Sequence, residues 1–296
     1  MSSSTSPVEP TIDVAHLTFS HQPDADPVLK DLNFSLPPGS RTLLIGANGA
    51  GKSTLLQLLA GKRLLPVGTS VRVKGKDVFR STIPYLTFLS TEWASNPFVR
   101  SDIKVSVFLD SVGGYRHAER RDRLLDLLDV DLDWHMHEIS DGERRRVQLV
   151  MGLMPPWDIL LLDEVTVDLD VLVRDELLAF LKEESETRGA TIIYATHIFD
   201  GMNSFPTHIC HMRFGEIVNS PVLWTPNGAI QSSPSETGSV STLGSSLHAL
   251  ALQWLKEDRE YRRELERNGR KTRGARRDEV VPTDSETFFR KYDYTN

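Results

Sequence analysis

Apolar and polar positions alternate twice near the start of the chain. Ile12, Val14, Leu17 and Phe19 form the first series, broken near Ala15-His16, and predict a half-buried strand over 12–19. A second alternation over 28–36 ends at Pro37-Pro38-Gly39 and predicts another strand. Leu43-Leu44-Ile45 is continuously apolar. It leads through a glycine-rich stretch into the leucine-rich residues 55–59, which reads as strand, loop and helix. A strand pair turning at Lys74-Gly75 is expected over 71–78, and a short buried strand over 85–89. Between 101 and 128 the spacing lengthens to helical, through Val105, Phe108, Leu109 and Val112, then Leu124, Leu125, Leu127 and Leu128. Arg116 to Arg123, lying between them, reads as a solvated charged face.

Further on, Val147, Leu149, Val150 and Leu153 predict a helix that Pro155-Pro156 ends. Ile159-Leu160-Leu161-Leu162 is a strand buried on both faces, finishing in Asp163-Glu164. Leu177, Leu178, Phe180 and Leu181 place a helix over 174–187, and 190–195 is another buried strand, ending in Thr196-His197. A hairpin around Phe214-Gly215 joins 210–213 to 217–218. Strands alternating with helices define an α/β domain with a mainly parallel sheet. Ligands of such sheets lie at the carboxyl ends of the strands. Ser53, Asp163-Glu164 and His197 each follow a strand, so one crevice can gather them.

Composition adds limits. The 296 residues can hold one large or two modest domains, and no apolar run approaches the roughly 20 residues of a membrane-spanning helix. Residues 1–10 are Ser- and Pro-rich, unlike a secretory signal, and read as a disordered lead. The single cysteine, Cys210, excludes an internal disulfide and fits a reducing compartment. A net charge of −7 gives no global pull toward nucleic acid or anionic lipid. The expected location is cytoplasm or nucleus. Residues 226–246, which include a Ser/Gly-rich run, read as a linker, and 247–296 as an extension. Leu250, Trp254 and Leu255 line one face of its helix over 247–265. Arg267, Arg270, Lys271, Arg273, Arg276 and Arg277 make a basic tail, a solvated segment or a contact for nucleic acid or an acidic partner.

The glycine-rich stretch carries the first chemistry. Gly46, Ala47, Asn48, Gly49, Ala50, Gly51, Lys52, Ser53 and Thr54 match the P-loop pattern in its strand–loop–helix context. Glycines let successive backbone N–H groups curl around phosphate oxygens, and the following helix points its positive dipole end at the same anion. Lys52 is placed to reach the β- and γ-phosphates of a nucleoside triphosphate, and Ser53 to hold Mg²⁺. Asp163, ending a buried strand, fits a second Mg²⁺ contact. Glu164 fits a general base for water, since two adjacent carboxylates there are costly without a cation. His197 can hydrogen-bond the γ-phosphate.

The P-loop, Ser140-Asp141-Gly142-Glu143, Ile159 to Glu164, Leu169-Asp170 and His197 together resemble the ABC-type ATPase domain in order and spacing, over about residues 11–220. The resemblance implies a P-loop NTPase domain over 11–225 with a mostly parallel core sheet, an antiparallel β subdomain and an α-helical signature subdomain at about 92–155, followed by the C-terminal helical extension. It implies that Ser140, Asp141, Gly142 and Glu143 act in trans on ATP held by a second domain. Asp170 then links the two sites, and a homodimer or separate ABC partner is required. Residues 45–52, 140–142, 162–170 and 194–201, with the shorter 248–255, further resemble a small group of eukaryotic ABC proteins without membrane domains. The yeast member of that group associates with the CCR-NOT complex, which implies a regulatory protein partner in transcription or mRNA metabolism.

Several positions depart from the family pattern. Asp141 and Glu143 replace a glycine and a glutamine of the signature, placing two acids where a γ-phosphate would dock. Val165 replaces a proline. Thr91 or Glu92 stands at the lid position that ordinarily holds a Mg²⁺-contacting glutamine, and His21 stands at the adenine-stacking position, Phe19 facing the core. Slow hydrolysis and weak ATP-driven pairing are the expectation. Two other readings stay open: a transporter subunit docking separate membrane domains, and a nucleic-acid-associated ABC protein using the basic tail.

Overall fold

The computed structural model describes residues 9–22, 25–65, 68–95, 97–225, 230–231 and 246–269. The two alternating segments form β1 (Ile12–Phe19) and β2 (Leu29–Leu36), an antiparallel pair. Ile12, Val14, Leu17 and Phe19 are all buried although the first two are even-numbered and the last two odd. The parity change needs one extra residue. It falls at the expected break, where His16 takes φ 52° and the β1–β2 register slips between Val14 and Leu17.

The glycine loop joins β3 (Arg41–Ile45) to α1 (Lys52–Leu59). β4 (Ser70–Val73) and β5 (Lys76–Asp77) form the hairpin expected at Lys74-Gly75, and β4 joins β1, completing an antiparallel sheet in the order β2-β1-β4-β5. After β6 (Leu86–Ser90) come α2 (Val105–Ser111), α3 (Ala118–Leu127) and α4 (Asp141–Leu153), the helical subdomain. β7 (Ile159–Asp163), α5 (Val171–Arg188), β8 (Thr191–Ala195), β9 (His208–Arg213), β10 (Glu216–Trp224), β11 (Ile230–Gln231) and α6 (Leu247–Arg267) follow. The larger sheet runs β11-β10-β9-β3-β8-β7-β6. β9 through β6 are parallel, and β10 and β11 are antiparallel at one edge.

Two cores flank this sheet. Leu43, Ile45, Leu160, Leu162, Ile192 and Tyr194 face the helical subdomain and α5. The alternate positions, Leu44, Ile159, Leu161, Ile193 and Ala195, face α1 and the antiparallel sheet. Burial on both faces is why these strands read as unbroken apolar runs. Each fully buried Leu or Ile contributes about 1.5–3 kcal/mol, so β3, β7 and β8 are the rigid floor on which a site can be built.

One expectation is corrected here. Arg116 to Arg123 is not simply a solvated face. Arg120 turns inward and grips Glu184 of α5 with both guanidinium arms, at 2.7 and 2.8 Å, while its Nε donates to the Leu153 carbonyl at 2.8 Å. Its guanidinium also lies over the Phe180 ring at 5.1 Å, as does that of Arg123 at 5.2 Å. The arginine stretch is therefore the clasp between the helical subdomain and α5. The helix of the extension starts in the core. Leu247, Leu250, Ala251 and Trp254 are buried with the first core, and the Trp254 ring stacks on His211 of β9 at 4.6 Å and 3°. Asn203 ties the same region from both sides, its side-chain oxygen accepting from the Leu247 N–H and its carbonyl from Trp224 Nε1, each at 2.8 Å. The chain divides into compact units after Leu255, within α6.

Among the described residues no helix is long and apolar enough to cross a membrane. Most of the lead, most of the linker and the basic tail beyond Asn268-Gly269 lie outside the described residues.

Candidate active site

The phosphate loop is shaped by what it packs against. A Cβ at Gly46 would collide with the Met212 carbonyl of β9, and Gly51 caps α1 with φ 102°, a conformation that side chains oppose. α1 thus starts at Lys52, which is buried. Its Nζ donates to the Gly46 carbonyl at 2.7 Å and the Ala47 carbonyl at 3.2 Å, and reaches His197 Nε2 at 3.4 Å.

The carboxyl ends of β7 and β8 supply the opposite wall. Asp163 is buried; that burial raises its carboxyl above the ordinary range, while a hydrogen bond from Ser53 and the Lys52 charge pull it back. Its Oδ1 has no hydrogen-bond partner among the described residues. Glu164 leaves the strand with φ 53°, a strained conformation costing on the order of 1–3 kcal/mol, which swings its side chain away from that of Asp163. Its N–H donates to Ala195 at 2.9 Å, and its Oε2 accepts the His197 N–H at 3.2 Å. Burial raises its pKa as well.

His197 lies between the two walls. Burial first, then the Lys52 charge, lowers its pKa, so the imidazole is neutral near pH 7. A second orphan lies beside it: Glu164 Oε1, 3.2 Å from His197 Nε2, is buried and has no hydrogen-bond partner among the described residues. Glu164, with its unsatisfied oxygen, lines a cavity of about 320 Å³ together with Asn48, Gly49, Gly51, Lys52, Ser53, Thr54 and His197, and Asp163 stands behind that lining, hydrogen-bonded to Ser53. His21 closes its rim and also borders a larger hollow of about 800 Å³ beside Phe19, Arg63 and Leu64. Phe19 is buried as expected, with the His21 ring edge-on to it at 5.4 Å. At the lid position, Thr91 is exposed and its carbonyl accepts from Arg145 at 3.4 Å. The neighbouring Glu92 is the side chain whose charge reaches Asp163.

The signature residues are differently disposed from the sequence expectation. Ser140 caps α4, and Glu143 closes a capping box: the Ser140 Oγ and N–H donate to Glu143 Oε2 at 2.7 and 2.8 Å, and the Glu143 N–H donates to Oγ at 3.2 Å. Asp141 accepts from Arg144 at 2.6 Å and Arg100 at 3.1 Å. Within one chain both acids of the signature thus have partners. Glu143 is folded back onto the helix start, and Asp141 is neutralised by two guanidinium groups. Gly142 is required by space, since a Cβ there would stand 2.9 Å from the Asp168 carbonyl. Asp170 caps α5 through the Val173 N–H at 3.0 Å and pairs with Arg146 of α4 at 2.7 Å, so within one chain it ties the signature helix to α5.

Residues missed in the sequence include Arg145 and Gln148, both buried in α4. Their side chains donate to the Ser90 carbonyl at 3.0 and 2.9 Å and bond each other, tying the signature helix to the end of β6, while Arg145 faces Asp168 at 3.8 Å. Polar residues inside an otherwise apolar helical stripe were the available signal.

Fold and site together define a P-loop NTPase. The ABC transporter family profile matches residues 29–167. CCR4-associated factor 16 of Saccharomyces cerevisiae is 42% identical over 278 residues, covering 83% of this chain and 94% of the yeast protein. ABC transporter I family member 21 of Arabidopsis thaliana is 45% identical over 221 residues, 72% of this chain and 78% of the relative. A solved ATP-binding subunit of an ABC transporter superposes with a TM-score of 0.60 at 20% identity, covering 71% of this chain and 88% of its own. This chain belongs to the ABC ATPase family: it binds and hydrolyses ATP.

Proposed function

We propose that this ATPase works on ATP–Mg²⁺ in a head-to-tail pair of copies, and that pairing regulates a protein complex in transcription or mRNA metabolism. The observation that carries the catalytic part is the convergence of Lys52, Ser53, Glu164 and His197 on one cavity, with Asp163 hydrogen-bonded to Ser53 behind it and a buried, unpartnered oxygen on each carboxylate. The Asp163 carboxylate, hydrogen-bonded to Ser53 and with Oδ1 still unpartnered, makes with that hydroxyl an all-oxygen donor set suited to Mg²⁺, which the lid residue Thr91 or Glu92 would complete. The cation would supply charge neutralisation of the phosphates. Lys52 exchanges the Gly46 and Ala47 carbonyls for phosphate oxygens. Glu164 takes the proton of the attacking water, and His197 orients the γ-phosphate through its ring. His21 lies at the adenine end.

Slow hydrolysis remains part of this reading, with a different physical cause. Before the Ser140 hydroxyl can donate to a phosphate in trans it must leave the Glu143 carboxylate, and that exchange costs a charge-assisted hydrogen bond. Support for the regulatory role comes from the similarity to CCR4-associated factor 16 across nearly the whole length of that protein.

Light scattering on Glu164→Gln tests the pairing. A dimer with ATP–Mg²⁺ and a monomer without is the expected outcome, and affinity capture on the trapped dimer then identifies the complex. A monomer under both conditions would show that the other half-site comes from a different protein. Capture of membrane transport subunits in place of a regulatory complex would favour a transporter role.

A further inference from the structure

Outside the nucleotide site, one cluster of metal-binding side chains stands out among the described residues: Asp102, His135 and His137, whose ligand atoms all lie within 4.8 Å of one another. We propose that these three residues bind a divalent transition-metal ion of the Zn²⁺ class. The proposal does not depend on the function proposed above.

The backbone holds the cluster in place. Lys104 and His135 form an antiparallel bridge. Around it the Val105 N–H donates to Trp134 at 2.8 Å and the Met136 N–H to Ile103 at 2.9 Å. This places Asp102 beside the His135–Glu138 turn, which the Glu138 N–H closes onto the His135 carbonyl at 3.0 Å. Met136 is buried, and the histidines flanking it stay at the surface, their rings 5.8 Å apart. Nδ1 of His135 and Nδ1 of His137 converge on the same carboxylate oxygen of Asp102, at 2.7 and 3.3 Å. Glu138 stands 3.5 Å from His137 Nε2, on the far edge of that ring, and fixes its orientation from outside the cluster.

Two imidazoles and a carboxylate are a donor set for zinc and similar ions, which select nitrogen over the all-oxygen shells of Mg²⁺ and Ca²⁺. Tetrahedral ligands about 2.0–2.1 Å from Zn²⁺ stand about 3.3 Å apart. Small rotations of these accessible side chains reach that spacing. The site also touches the signature. The Met136 carbonyl, between the two histidines, accepts from Arg144 Nη2 at 3.0 Å, and the same nitrogen donates to Ile139 at 2.8 Å. Since Arg144 holds Asp141, an ion on His135 and His137 braces the turn that positions the start of α4.

The test uses the full chain, chelator-stripped and without nucleotide, titrated with Co²⁺ and read by its visible absorption, then displaced with Zn²⁺. One equivalent of Co²⁺ should develop bands that Zn²⁺ abolishes, and Zn²⁺ should raise the melting temperature. His135→Asn combined with His137→Asn should weaken binding by more than the roughly tenfold that losing even an outer partner costs. Asp102→Asn, nearly isosteric and fully exposed in charge, should weaken it too and serves if the double variant folds poorly. No visible band in the wild type, or an unchanged titration in the variants, would overturn the assignment.

Discussion

Replacing Glu164 by glutamine lowers ATP turnover by roughly 10²–10⁴-fold, the usual contribution of a positioned general base. That range corresponds to about 3–5 kcal/mol of activation free energy. The amide keeps the side-chain shape and an oxygen to accept the His197 N–H, so the strained backbone at φ 53° and the cavity wall are retained. What is lost is the ability to take a proton. Nucleotide affinity should therefore stay close to wild type while single-turnover phosphate release collapses. The physical reason to assign the role to Glu164 is its isolation. Oε1 is buried and unsatisfied beside the cavity, so an added water would be the donor it lacks. Asp163, by contrast, is hydrogen-bonded to Ser53, the pair suited to Mg²⁺. Steady turnover in Glu164→Gln at the wild-type rate would move the base elsewhere.

The second large effect is on stability. Arg120→Ala is expected to destabilise the fold by about 2–4 kcal/mol, toward the lower part of the range for breaking a buried ion pair, because Arg188 still serves Glu184 at 2.7 Å. The loss has three sources: the bidentate grip, the Leu153 carbonyl left without its donor, and the stacking on Phe180. Arg120→Lys should fall between, having the charge but not the fork. The pH dependence follows in sign. Burial alone would raise the Glu184 carboxyl, but the Arg120 and Arg188 hydrogen bonds outweigh it and hold the folded-state value below the ordinary 4.5. A depressed carboxylate stabilises the fold above its unfolded pKa, and the stabilisation fades as pH falls through the folded value. Urea unfolding near neutrality should show the full gap between wild type and Arg120→Ala, and the gap should narrow below pH 4.5. An equal gap at both pH values would mean that packing, not the ion pair, holds α3 to α5.

Much of this site is legible in the chain because its parts are local. A strand, a glycine loop and a helix are consecutive in sequence, and carboxylates at the end of an apolar run advertise a cost that only a ligand offsets. Even the irregularity at His16 could be read, since a change of parity in a buried face demands an extra residue. What could not be read depends on partners far along the chain. The acids of the signature look repulsive when counted alone, yet Asp141 is answered by Arg100, 41 residues earlier. Arg120 looks solvated until Glu184, 64 residues later, is folded against it. Composition marks where the extension starts but not what its apolar face packs against, and Leu247 and Trp254 belong to the core by contact.

That last contact has a practical meaning. Trp254 lies flat on His211, and the next residue of the same strand, Met212, presents the carbonyl that leaves room for nothing larger than hydrogen at Gly46. The C-terminal helix and the cradle for the phosphates are therefore separated by a single strand, one leaning on each of two consecutive residues. Shortening the protein after residue 246 would not be trimming an appendage; it would be surgery on the back wall of the ATP pocket.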